Sequence, residues 1–396
     1  MAVVNNPLPQ RVSSVDAYRG LVMLLMMAEV LEFTHVAEAL PESSFWGFLG
    51  FHQSHVPWTG CSLHDLIQPS FTFLVGVALP YSMASRASRG HSQTYLWLRT
   101  LRRALVLILL GIFLRSMGRN QTNFTFEDTL TQIGLGYPFL YALGLRSERS
   151  TWTALGVILV GYWALFAFHP LPGADFDWSL TGVAADWEHN LGGFAAHWNK
   201  NTNAAWAFDR WFLNLFPREK PFLFNGGGYA TLSFIPTLGT MILGLVAGRW
   251  LRAAPSSSWL MRRLAIAAAG LFAVAILLHL TGINPIVKRI WTPAWTLFSG
   301  AWCFVLFALF YFVVDVQKTK RAFFPLIVVG MNSIAAYILA HTVVGFIDES
   351  FRINISPQYD LLFGEPYKTL ISGFVILAVQ WLILYWMYRK KLFIRI

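Results

Sequence analysis

Ten runs of apolar residues, most of them close to 20 long, recur along the chain near 17–36, 66–85, 101–117, 130–146, 151–168, 231–250, 262–281, 292–314, 323–344 and 367–388. A helix rises about 1.5 Å per residue, so about 20 apolar residues cover the roughly 30 Å of a bilayer's hydrocarbon. The pattern predicts an all-α fold, a polytopic transmembrane helix bundle of about ten spans. The fourth run is short and is interrupted by Pro138. Between the fifth and sixth runs lies 169–229, rich in Trp, Asn, Asp and Gly, the one large segment expected outside the membrane. No internal repeat is visible, and no soluble domain is expected before or after the bundle. The opening MAVVNNPLPQ has no apolar h-region behind a basic n-region. The N-terminus is therefore expected to be retained, with the first run a true transmembrane helix.

Composition agrees with this reading. Of 396 residues 56% are hydrophobic and only 13% charged, and the mean hydropathy is +0.50. A soluble domain carries roughly 25% charged residues. The 33 Phe and 17 Trp exclude a disordered chain. Cys61 and Cys303, the two cysteines, are too few for a disulfide framework or a cysteine-built zinc site. A formal charge of +10 would suit nucleic acid if it were concentrated on one surface, but its distribution says otherwise. With the N-terminus in the cytoplasm, twenty of the thirty Lys and Arg residues and three of the twenty acids fall on that side, a net +17 against −7 on the other face. That is the positive-inside bias, so the charge reports topology and no nucleic-acid partner is expected. An even number of spans puts both termini in the cytoplasm and 169–229 outside.

Charged and polar groups within apolar runs mark candidate sites, because burying them in lipid is costly. The first run ends on Glu29 and Glu32, and the second opens on His64 and Asp65. Between them, 42–60 alternates aromatics such as Trp46, Phe48, Phe51 and Trp58 with His52 and His55. Histidine at an outer mouth is either a helix cap or a base, nucleophile or proton relay near neutral pH. Asp65 stands where a helix N-cap stands, or it orients the histidine as a triad acid does. His64 reads as structural. His52 and His55 are three apart, a spacing zinc accepts, but no HExxH, Cys pair or acidic cluster supports them, so no metal is expected. The ninth run places Asn332, Ser333, Tyr337 and His341 in an apolar helix, for interhelical hydrogen bonds or for work on substrate. Arg86, Arg89, Arg99, Arg102 and Arg103 either obey the positive-inside rule or grip the phosphates of a nucleotide-containing substrate. The tryptophans from Trp163 to Trp211 suit sugar stacking or an aromatic belt. Asn120, Asn123 and Asn354 open N-x-Ser/Thr sequons on the outer side.

An ordered set of strings then resembles a known family. SVDAYRGL at 14–21 precedes SHVPWTGCSLHDLIQPSFTFLVG at 54–76, which holds His55, Trp58, Gly60, Asp65, Leu66, Pro69, Phe71, Phe73 and Gly76 in a His-x-x-Trp-x-Gly-x-x-x-x-Asp-Leu pattern leading into Pro-x-Phe-x-Phe-x-x-Gly. LTQIGLGY at 130–137, LGLVAGRWL at 243–251, KRIWTPAW at 288–295 and GMNSIAAY at 330–337 follow in order. Together they resemble the transmembrane N-acetyltransferases of the heparan-α-glucosaminide type. The sequence departs from that pattern at Glu29-Val30, where the family carries an Asn, at Gln132-Ile133 in place of a Gln-Arg pair, and at Asn225-Gly226-Gly227-Gly228 in place of Asp-Pro-Glu-Gly. The first two bear on how an acetyl or pantetheine group is held, and the third on the acceptor.

The resemblance implies a single transmembrane acyltransferase domain over 1–396 that moves an acetyl group from cytosolic acetyl-CoA to an amino sugar or glycan acceptor on the far side. His55 and Asp65 are the implied catalytic pair, with His55 as base or as acetyl carrier. Glu29, Trp58, Gln132, Asn332, Ser333 and Tyr337 are candidates for holding substrate or the oxyanion. Arg19, Arg86, Arg99, Arg102 and Arg103 are candidates for the CoA phosphates. Lipid is the expected surrounding partner, a homodimer is compatible, and a bacterial inner membrane is the expected location. The competing readings are a proton-coupled transporter using Glu29, Glu32 and Asp65, and a membrane scaffold binding polysaccharide or lipid through 169–229.

Overall fold

A computed structural model describes residues 12–394; Arg11 and Arg395, which enter the charge count above, lie outside the described residues, as does the opening decapeptide. Among the described residues the fold is all helix and loop, with one isolated bridge between Thr59 and Val287. The helices are α1 (Ser13–Met27), α2 (Phe33–Ala39), α3 (Ser44–Gln53), α4 (Ile67–Ala87), α5 (Gln93–Ser116), α6 (Thr129–Gly144) and α7 (Glu148–Ala167). After the long loop come α8 (Ala204–Phe212), α9 (Phe234–Ala253), α10 (Ser257–Leu280), α11 (Pro293–Phe310), α12 (Phe324–Met331), α13 (Ser333–Thr342), α14 (Val344–Asn354) and α15 (Lys368–Arg389). Many starts are written in the sequence: the side chains of Ser92, Asp128, Ser147, Asn203, Ser256 and Thr292 each accept from a backbone N–H of the first turn.

Among the described residues six helices are long and apolar enough to cross a membrane, and eight crossings result if each of two bent pairs is one span. This is an integral membrane protein. The bends fall inside runs that read as single spans. The first run breaks at Glu32, whose φ is 45°, between stretches bent by 40°; the ninth breaks at Asn332, where α12 and α13 meet at 82°. Of the ten expected spans, 101–117 lies in α5, which carries Arg99, Arg102, Arg103 and Arg115, and 130–146 in α6, which has 16 residues. Neither passes on length and apolarity.

The centre of the bundle is α4 against α9, joined by α1 and α11. Glycines allow the close approach: a Cβ on Gly76 would stand 2.0 Å from the Met241 carbonyl oxygen, and one on Gly244 1.9 Å from that of Phe73. Around this seam Tyr18, Phe73, Phe304 and Phe307 are buried, and the Tyr18 hydroxyl donates to Ser70 Oγ at 2.8 Å. By contrast, α10 exposes Ile266, Val274 and Leu277, as a lipid-facing helix should.

The segment 169–229 folds as a cap without strands. Asparagine side chains take the place of a sheet: Asn201 donates to the carbonyls of Thr181 and Asn225, Asn199 pairs with both backbone groups of Leu191, and Asn214 bridges Arg210 and Phe222. Trp198 is buried between the cap and the bundle, among Phe166 of α7, Trp58 and Val287; Trp206 is buried within the cap, donating to the Leu223 carbonyl; Trp211 is exposed. Trp58 donates its indole N–H to the Trp198 carbonyl, so the loop after α3 is tied to the cap.

Candidate active site

The loop 54–63 and the turn that opens α4 place two residues ten apart against one another. His55 Nδ1 lies 2.7 Å from Asp65 Oδ1. The second oxygen of Asp65 accepts from the backbone N–H of Val56 and Ser62 and from the Ser62 hydroxyl. A carboxylate so held accepts the Nδ1–H proton, which leaves the Nε2 lone pair free. Asp65 is 1% exposed and the His55 side chain 32%, so the carboxylate orients while the ring faces open space.

A third charge completes the arrangement. Lys288, buried, stands on the loop between α10 and α11 with Nζ 3.6 Å from Asp65 Oδ1. The same Nζ is 3.1 Å from His55 Nδ1 and 3.3 Å from Nε2. A point nearly equidistant from both nitrogens at that range lies over the ring face, because in the ring plane it would collide with Cε1. Burial, with the Lys288 charge beside it, holds His55 below the usual histidine value despite the pull of Asp65. Burial likewise brings Lys288 down to about 8, against the opposing pull of Asp65.

His55 and Lys288 face a cavity of about 530 Å³. Its walls include Glu29 and Met26 from α1 and the turn after it, His64, and Tyr337 and His341 from α13. They also include Asn225, Gly227 and Tyr229 from the end of the cap, and Glu127 and Asp128 before α6. Glu29 Oε1 is 3.2 Å from His64 Nε2, and the His64 ring is 4.5 Å from that of His55. Burial raises Glu127 and Asp128 above the usual carboxyl range. Cys61 lies nearby, but burial pushes its thiol up to about 12, so it is no nucleophile.

A second cavity, of about 610 Å³, opens further along α5 and α6 and is lined by Arg86, Arg99, Arg102, Arg103 and Tyr137. Arg103 donates to the Tyr137 hydroxyl at 2.9 Å and lies over its ring, while Arg99 and Arg102 are exposed. Thr129 lines the first cavity and Tyr137 the second. Eight residues of helix separate them, about 12 Å at 1.5 Å each. Between the cavities Gln132 is buried, its Oε1 accepting from Gln68 Nε2 at 3.0 Å and from Thr237 Oγ1 at 2.9 Å.

The structure thus brings His55, Asp65, Glu29 and Tyr337 to one cavity and four of the five arginines to another, with Gln132 between. Arg19 does not line the second cavity; it lies 3.5 Å from Asp16 on α1. Trp58 serves the cap. Asn332 holds the C-terminal segment, donating to the Leu392 carbonyl and accepting from the Ile394 N–H. Ser333 follows it at the bend and does not line the His55 cavity. Glu29, Glu32 and Asp65 do not form a relay, since Glu32 turns to His35 at 2.8 Å. Among the described residues no group of three or more His, Cys, Asp or Glu is arranged to hold a metal; His52 Nδ1 accepts from the Leu63 N–H. Lys288, His64 and Tyr229 were not among the expected site residues. The signal for Lys288 was present, since KRIWTPAW opens on it.

Two curated proteins match nearly the whole chain. Heparan-alpha-glucosaminide N-acetyltransferase of Homo sapiens is 26% identical over 433 aligned residues, which take in 98% of this chain and 60% of the human protein. The Mus musculus protein of the same name is 26% identical over 431, with the same coverage. The chain is a distant relative of these acetyltransferases. It spans about three fifths of the length of the curated relatives it matches. No protein-family model matches it.

Proposed function

We propose that the chain transfers an acetyl group from acetyl-CoA, entering at the arginine cavity on the cytoplasmic side, to the amine of a glucosamine-type acceptor in the His55 cavity on the other face, in a bundle of about ten spans set in a bacterial inner membrane. The observation that carries this reading is the alignment of the two cavities along α5 and α6. One holds an oriented histidine with a free Nε2, and the other holds four arginines, the linings on α6 lying about 12 Å apart at Thr129 and Tyr137.

Each part suits its share of the work. Guanidinium groups recognise phosphates through paired charge-assisted N–H donors. A pantetheine arm bridges the distance between the cavities, and the side-chain amides of Gln68 and Gln132 offer it polar partners on the way. At the far end the acceptor nitrogen attacks the thioester carbonyl carbon while its proton passes to His55 Nε2. Collapse of the tetrahedral adduct breaks the C–S bond, and the departing thiolate takes a proton, leaving as free CoA. An acetyl-carrier route would use the same Nε2 as nucleophile. Glu29, Asn225 and Gly227, at positions where the sequence departs from the family pattern, all line the acceptor cavity, which favours an acceptor different in detail from that of the relatives.

The test is calorimetry of acetyl-CoA binding to the purified chain in detergent, followed by acetylation of glucosamine. Binding in the micromolar range that weakens in Arg99→Ala, together with acetyl transfer that is lost in His55→Gln, supports the reading. Absence of both binding and transfer would overturn it.

A further inference from the structure

Of the charged groups that line the His55 cavity and take no part in the reaction as written, Lys288 lies nearest the imidazole, at 3.1 Å from Nδ1. We propose that Lys288 is a positioning residue that sets the protonation state of His55: its charge, fixed over the imidazole face, keeps the ring neutral between turnovers so that Nε2 meets the acceptor as a base. The role rests on the acetyl-transfer reading above; the charge balance does not.

The placement of Lys288 is stiff. Its loop is bridged to the histidine loop through Val287 and Thr59, and Gly60 donates to the Ile286 carbonyl at 3.1 Å. Asn284 Oδ1 accepts from the Ala294 N–H at 2.7 Å, and Thr292 Oγ1 from the Val287 N–H at 3.1 Å. The neighbouring Arg289 is spent elsewhere, donating to the carbonyls of Gly227 and Val56. At 4% exposure Lys288 is buried, and the open side it has is the His55 cavity.

The charges around the ring decide the rest. Asp65 favours the imidazolium at 2.7 Å, and Lys288 opposes it at 3.1 Å, nearly the same range. A single carboxylate between two cations cannot offset both, so the ammonium of Lys288 takes the share that an isolated His–Asp pair would give to the imidazolium. The other groups facing the ring or its cavity are His64 beside it, Glu29 beyond His64, Tyr229 from the end of the cap with Arg289, the neighbour of Lys288, over its ring, His341 across the cavity, and Arg115, Glu127 and Asp128 from α5 and the start of α6. Glu29 is paired with His64, and Arg289 adds to the same sign as Lys288. The ring stays neutral, and a proton acquired from the acceptor is readily surrendered.

The experiment measures carbethoxylation of His55 by diethyl pyrocarbonate against pH in the full chain, with His55→Gln subtracting the other histidines. In Lys288→Met the midpoint should rise by about one pH unit or more, a tenfold loss of neutral ring at fixed acidic pH. In Lys288→Arg it should stay near the wild-type value. An unchanged midpoint in Lys288→Met would overturn the proposal. Should Lys288→Met fail to fold, Lys288→Gln, which keeps a polar partner and loses only the charge, decides: its midpoint must rise, and an unchanged midpoint overturns the proposal equally. Failure of the acetyl-transfer reading shows separately, as wild-type protein that moves no acetyl group while its His55 midpoint still titrates.

Discussion

At the scale of single residues, His55 sits between a carboxylate and an ammonium in a half-buried setting, and burial is the largest influence on it, favouring the neutral ring. A base works only when neutral. Because the folded value lies below the ordinary histidine value of about 6.5, the transfer rate should rise with pH through a midpoint below that and be level at neutrality. A kcat/KM profile whose acid limb lay above 6.5 would contradict the charge balance described. The two halves of the pair should fail differently. His55→Gln removes the proposed base and should cost about 10²- to 10⁴-fold in turnover. Asp65→Asn keeps the ring but loses its tautomer, and should cost about 10²-fold or more. In both, calorimetric acetyl-CoA affinity should hold, because the arginines lie in the other cavity. The His–Asp pair was legible in the sequence because ten residues and one turn connect its members. Lys288 stood in the KRIWTPAW string, but its link to His55 was not legible, since it lies 233 residues away and reaches the ring only through the contact of two loops.

At the scale of helices, apolar run length located all of the long elements but was blind to bends. A run of apolar residues records immersion in lipid, not direction, so the break at Glu32 and the 82° turn at Asn332 leave no mark in hydropathy. The polar residues on those runs were visible, yet Asn332 and Tyr337 look alike in sequence and serve different ends. Asn332 secures the C-terminal segment and Tyr337 faces the cavity. The glycine strings tell more. Gly244 and Gly248 are four apart, and Cβ atoms there would meet the carbonyl oxygens of Phe73 and Val77 at 1.9 and 2.4 Å. Backbone cannot yield as a side chain does. Gly244→Val should therefore part α4 from α9 and lower stability by about 1–3 kcal/mol or more, seen as a reduced melting temperature in detergent. Gly156, where an added Cβ meets nothing within 4 Å, provides the control: Gly156→Ala should melt like the wild type.

For the molecule as a whole, the asymmetry of charge and the separation of the cavities describe the same property. The sequence predicts that basic residues gather on one side of the membrane, and four of them line the second cavity. The cap, the histidine and the carboxylates occupy the other end. CoA and an amino sugar are both too polar to cross lipid, so in the proposed transfer the two substrates need never share a compartment, and only the acetyl group travels. In proteoliposomes, protein oriented with the arginine end outward should acetylate glucosamine trapped inside when acetyl-CoA is added outside, with product accumulating in the lumen. Placing both substrates on the arginine side alone should give no product, and such product would mean that the cavities are not joined through the bundle. Arg99→Ala and Arg102→Ala test the same geometry from the donor end. Each removes a charge-assisted bond to phosphate of about 1.5–3 kcal/mol, so acetyl-CoA affinity should fall about 10- to 100-fold. Both side chains are exposed, so the fold should survive their loss. Carbethoxylation of His55 in these variants should match the wild type, because that ring takes its charge environment from Asp65 and Lys288, and the arginines line the other cavity.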